Sequence, residues 1–165
     1  MLRPRHMPRG HLNCSKTTSK LALVGTPFLS TIHMKWRIDS TSLPSYLRVS
    51  TEGDVSAQDF TSMWNEILKY ERWSPGTSVI FDNRGLRPVP QNGSGVDMTS
   101  IATDYFESRA DDIGAARIAV LMKVRENYRY ARQFQIGVEL RRVPVRLQMF
   151  FDEREALAWL VNAKL

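Results

Sequence analysis

From Met34 onward, apolar positions recur at spacings that switch between two and three to four residues. Trp36 and Ile38 alternate with charged neighbours, and after a Ser-Leu-Pro-Ser turn signal Leu47, Val49 and Thr51 alternate again, so both stretches predict strands. Gly53-Asp54 closes the second. Ser56 then stands as an N-cap with Asp59 at N3, between the staple residues Val55 and Phe60. Phe60, Met63, Trp64, Ile67 and Leu68 share one face of the helix that follows, which Pro75-Gly76 is expected to end.

Ser78 to Phe81 is a short unbroken apolar run, the pattern of a strand covered on both faces, and it ends in Asp82-Asn83-Arg84-Gly85. Leu86 to Val96, with two prolines and two glycines, predicts a loop. Asp97 is the cap of a second helix with Val96 and Ile101 as its staple and Met98, Ala102, Tyr105 and Phe106 on its face; Gly114 stops it. Ile118 to Met122 predicts a central strand with Lys123 at its carboxyl end, and Asn127, Ala131, Phe134 and Val138 trace a third helix over Glu126 to Leu140. Val143, Val145, Leu147, Met149 and Phe151 alternate with polar residues and Phe150 in a half-exposed strand, for which Pro144 predicts an edge position. Asp152 and Glu155 have capping-box spacing for a last helix with Ala156, Leu157, Leu160 and Ala163 inward. The order is strand, strand, helix, then three strand-helix pairs, an alternating α/β pattern.

Composition narrows the chemistry more than it suggests any. The chain carries 23 Lys and Arg against 17 Asp and Glu, a net +6, which ordinarily raises the question of nucleic acid. Arg3, Arg5, Arg9, Lys16 and Lys20 fall in an acid-free leader, however, so the remainder is nearly neutral and nucleic-acid binding is not expected. His6, His11, His33 and the lone Cys14 fall there too. From Met34 on the domain therefore has no imidazole or thiolate for a nucleophile system and no Cys or His ligands for zinc, and neither metal nor cofactor is expected. No apolar run is long enough to predict a membrane span, and a cytoplasmic setting is expected. Residues 1–33 are expected to be a disordered basic extension from an upstream start, or else a targeting leader, ahead of a domain over 34–165.

Met34-Lys35-Trp36-Arg37-Ile38-Asp39, Phe81-Asp82-Asn83-Arg84-Gly85, Ala116-Arg117-Ile118-Ala119-Val120-Leu121, Tyr130-Ala131-Arg132-Gln133-Phe134 and the ending Phe150-Phe151-Asp152-Glu153-Arg154-Glu155-Ala156-Leu157-Ala158-Trp159-Leu160 follow one another in an order that resembles the SpoIIAA-like STAS/SEC14 domain family. The resemblance implies an α/β fold with a mixed five-stranded sheet covered by about four helices, and a class of proteins used for regulatory contacts or apolar ligands. It implies no reaction. In the anti-anti-sigma members a phosphorylatable Ser follows an Asp at a helix start; this chain has Asp97-Met98-Thr99-Ser100 there, without the Asp-Ser-Ser-Gly pattern.

Ligands of open α/β sheets sit at the carboxyl ends of the strands. The candidate ligand-binding residues are accordingly Asp82, Asn83, Arg84, Lys123, Thr99 and Ser100, against the alternative that such polar residues merely solvate the sheet rim. The expected function is a noncatalytic STAS-like domain that binds a protein partner or a small apolar or anionic ligand. The rival is an enzyme using Asp82 as base, if burial raises its pKa, with Arg84 or Lys123. Tyr128, Arg129, Tyr130 and Arg132 fall on several helix faces, as core aromatics with solvated arginines do. The edge strand Val143 to Phe151 is the expected place for homodimerisation by strand addition.

Overall fold

The computed structural model describes residues 33–87, 98–123 and 128–162. The expectations for the leader, for Asp97 as cap, and for Asn127 and Ala163 as stripe residues lie outside them. Five strands, β1 (Lys35–Asp39), β2 (Leu47–Gly53), β3 (Val79–Leu86), β4 (Arg117–Leu121) and β5 (Arg146–Phe150), alternate with helices α1 (Ala57–Leu68), α2 (Met98–Ser108), α3 (Ala110–Ile113), α4 (Tyr128–Leu140) and α5 (Glu153–Val161). They form the expected mixed sheet, in the order β1-β2-β3-β4-β5. β1 is antiparallel to β2, and every later pair is parallel.

This sequential order dictates where the helices go. Right-handed crossovers between neighbours laid down in one direction place every crossover helix on the same face of the sheet. Accordingly Met63, Trp64 and Ile67 of α1, Phe106 of α2 and Val138 of α4 share one core with Val49, Phe81 and Ile118 of the sheet. The opposite face keeps a second, smaller core in which Ala156 and Leu160 of α5 cover Ile80, Ala119, Leu121 and Phe150. β3 and β4 are thus buried on both sides, as their apolar runs predict.

Local chemistry sets the boundaries. The Ser56 side chain accepts the Asp59 amide at the start of α1, and Asp152 accepts those of Arg154 and Glu155 at the start of α5. α4 ends in a Schellman arrangement, with the Val143 amide on the Val138 carbonyl, the Arg142 amide on that of Glu139, and Arg142 at φ 56°.

Four boundaries differ from the sequence reading. α1 ends at Leu68, and Pro75-Gly76 belongs to a later turn whose Gly76 amide bonds the Ile113 carbonyl at 2.8 Å. Gly114 closes α3 rather than α2, because the chain breaks helix at Arg109, which makes five helices among the described residues. β3 does not stop at Phe81 but continues through Asp82-Asn83-Arg84, since β2 runs beside it to the pairs Glu52↔Gly85 and Gly53↔Leu86. Gly85 fits there because β3 carries one extra residue between the pairs Ser50↔Asp82 and Glu52↔Gly85, which leaves the Thr51 carbonyl 2.6 Å from where a Cβ would stand. β5 is an edge strand, as Pro144 predicts, but Pro144 precedes it. Its alternation stops at Met149: Phe150 is buried beneath α5 while Phe151 is half exposed.

Candidate functional site

Extending β3 into its polar segment puts the pleat to work on the candidate residues. Successive side chains of a strand point to opposite faces. Asp82 and Arg84 therefore lie with Ile80 on the α5 face, whereas Asn83 lies with Phe81 on the face of α1, α2 and α4.

On the α5 face the two residues join a closed ring of four charges. Arg84 grips Asp82 with Nε on Oδ1 at 2.8 Å and Nη2 on Oδ2 at 2.6 Å, and reaches Glu153 Oε2 at 3.0 Å. Arg48, from β2, donates to Asp82 Oδ2 at 2.9 Å and to Glu153 Oε1 at 2.6 Å. Glu153 sits in the first turn of α5, where the helix dipole favours a carboxylate. Hydrogen bonds from Arg84, followed by those from Arg48, pull the Asp82 pKa from 3.8 down to about 2, against the opposing effect of burial. Glu153 is lowered too, chiefly by Arg48. Both guanidiniums are pushed up in turn, Arg48 chiefly by Glu153 and Arg84 chiefly by Asp82. A carboxylate held so acidic has little proton affinity at neutral pH and makes a poor general base. The charges neutralise one another and offer no net charge to a ligand.

On the other face the carboxyl end of the sheet opens into a cavity of about 160 Å³. Its deep wall is apolar and drawn from every layer: Met63 and Trp64 of α1, Phe106 of α2, Phe134 of α4, and Ile118 and Leu147 of the sheet. Rings pack along that wall, with Trp64 and Phe106 edge to face at 4.8 Å and Phe106 and Phe134 at 5.1 Å. The polar lining residues are Thr51, Asn83, Arg87, Thr99 and Tyr130. The Thr51 hydroxyl, buried on the inward side of β2, donates to Asn83 Oδ1 at 2.8 Å. Arg87 pairs through Nε with Asp54 at 3.0 Å.

The predicted site residues are therefore not gathered in one place. Asn83 and Thr99 line the cavity, and Asp82 and Arg84 belong to the charge ring behind it. Ser100 and Lys123 are exposed and belong to neither. Arg48, Glu153 and the polar lining residues Thr51, Arg87 and Tyr130 were not among the candidates. Thr51 did leave a trace, as a hydroxyl at the third inward position of a strand whose other two are Leu47 and Val49. No group of His, Cys, Asp and Glu suited to a metal ion occurs among the described residues, and no described helix is long and apolar enough to cross a membrane.

No protein-family model and no curated protein matches the chain. Among solved structures it is similar to an uncharacterized protein from Shewanella loihica PV-4, described as a DUF3478 family member with a SpoIIAA-like fold. That likeness covers 78% of this chain and 94% of the other at 17% identity, with a TM-score of 0.49.

Proposed function

We propose that the domain is a noncatalytic binding module that takes a small, largely apolar molecule between its sheet and helices α1, α2 and α4. The observation that carries this reading is the cavity itself. Close-packed interiors leave few voids larger than a water molecule, because each costs dispersion contacts and stability. A space of about 160 Å³ lined by Trp64, Phe106, Phe134, Met63 and Ile118 is of the size that admits benzene when engineered into another protein. The enzyme reading loses its support at Asp82, whose carboxylate is held acidic by two arginines on the far side of the sheet.

Toluene titrated into the full chain tests the proposal by calorimetry. Saturable binding with one molecule per chain is expected, and a cooperative melt shifted upward by ligand. Ala102→Phe, which fills the cavity from α2, should abolish it; Ala131→Leu on α4 serves where the larger side chain prevents folding. Absence of binding to the unaltered protein overturns the reading.

A further inference from the structure

The polar residues of the cavity wall are not spread over it. They gather toward one end of the sheet axis, among apolar neighbours such as Leu86, Met98 and Met122. Thr51 and Asn83 lie toward the carboxyl ends of β2 and β3, and Arg87 follows β3 directly. Thr99 and Tyr130 stand in the first turns of α2 and α4, which start from the same edge of the sheet. Ile118 and Leu147, near the amino ends of β4 and β5, and Phe106, near the end of α2, form the opposite, apolar end. The cavity thus has its polar groups at the mouth and an apolar floor.

Among the described lining residues the charge at that mouth has one sign, although the Asp54 carboxylate stands beside it. Arg87 is the one charged residue in the wall, and no Asp or Glu lines it among the described residues. Its guanidinium is half exposed and engaged through Nε by Asp54, and no bond from its Nη groups is found among the described residues. Asn83 has its Oδ1 occupied by Thr51, and its Nδ2 makes no hydrogen bond among the described residues. Donors facing an apolar space favour an acceptor, and a guanidinium beside them favours an anion in bidentate contact.

Resting on the reading of the cavity as a binding site, the geometry points to its ligand class: a small apolar monocarboxylate or similar monoanion. Its acid head lies at the mouth on Arg87 and Asn83, and its hydrocarbon runs down toward Phe106 and Ile118. A cationic ligand meets Arg87 as a like charge, and a neutral alcohol forgoes the ion pair.

Calorimetric titration of the full chain with hexanoate, 1-hexanol and hexylammonium decides the matter. Hexanoate is expected to bind about tenfold or more tighter than 1-hexanol, the ratio that a hydrogen-bonded charge supplies, with hexylammonium weakest. Arg87→Gln should remove about that factor for hexanoate and leave 1-hexanol within about twofold. Asn83→Asp, the same shape with a negative charge, should reverse the order of hexanoate and hexylammonium. Both positions lie at the cavity mouth, and a cooperative melt verifies that each variant folds. Toluene or 1-hexanol binding with no preference for hexanoate overturns this inference and leaves the cavity reading standing; failure of every ligand, toluene included, overturns both.

Discussion

Arg48 and Glu153 stand 105 residues apart in sequence and 2.6 Å apart in space, Nη1 to Oε1. The contact ties the second strand of the sheet to the first turn of the last helix, and Asp82 and Arg84 complete the ring between them. A partly buried ring of two cations and two anions is sensitive to the loss of one member, because the survivors keep their desolvation cost without their partner.

That asymmetry separates two substitutions. Arg84 is the most exposed member, and its replacement by Ala leaves Asp82 still held by Arg48. Arg84→Ala is expected to cost no more than about 1 kcal/mol in denaturant melts. Asp82→Asn leaves two arginines facing one carboxylate and is expected to cost about 1–3 kcal/mol. An Arg84→Ala cost exceeding that of Asp82→Asn would contradict the ring as the organising contact.

Acid should dissolve the ring. Asp82 and Glu153 have folded pKa values below their unfolded ones, so their contribution is complete above the unfolded values of 3.8 and 4.5 and is lost as pH falls through the folded ones. For Asp82 the loss runs from about pH 4 down to about pH 2 and amounts to no more than about 2 kcal/mol. Urea melts between pH 6 and pH 2 should show stability falling over that window, with a shallower fall in Asp82→Asn.

Gly137 carries a packing role that helix propensity opposes. A Cβ there would stand 2.6 Å from Thr103 Oγ1, which is itself fixed by a 2.6 Å bond to the Thr99 carbonyl. Gly137→Ala should therefore destabilise by about 1–3 kcal/mol, despite the ~1 kcal/mol that Ala gains over Gly in a helix. Adding Thr103→Ala reopens the space, and thermal melts of the pair should recover part of the loss.

Trp64 is, with Phe106, the most buried of the aromatic residues at 1% exposure, and is in contact with Phe81, Trp73 and Phe106. Trp64→Ala should cost about 3–5 kcal/mol, more than any substitution in the charge ring. Equality with Arg84→Ala in the same melts would mean that the α1 face is not the core.

What the sequence displays well is whatever repeats locally. The α1 stripe, both apolar runs and the caps at Ser56 and Asp152 lie within a few residues of one another, and their periods match the elements they form. The polar end of β3 does not announce itself as a strand, because Asp82 and Arg84 are satisfied by Arg48 and Glu153, which are 34 and 69 residues distant. With the strand cut short at Phe81, Asp82, Asn83 and Arg84 look like one cluster in a turn. Continuing the alternation by three residues separates them, since 82 and 84 share a parity that 83 does not. The cavity is less legible still. Its wall residues are the same apolar positions that predict core, and nothing in their spacing distinguishes a filled interior from one left partly open.

The cavity wall begins at Met34 and ends at Leu147, taking in parts of all the strands from β2 to β5 and of helices α1, α2 and α4. Opening any one of these elements breaks the wall. An occupant therefore raises the free energy of each such opening, and of global unfolding with it. At a free concentration of one hundred times its Kd, that addition is about 2.7 kcal/mol. Amide exchange in β2 to β5 should slow when the cavity is filled, whereas exchange by local fraying of α5, which contributes nothing to the wall, should not.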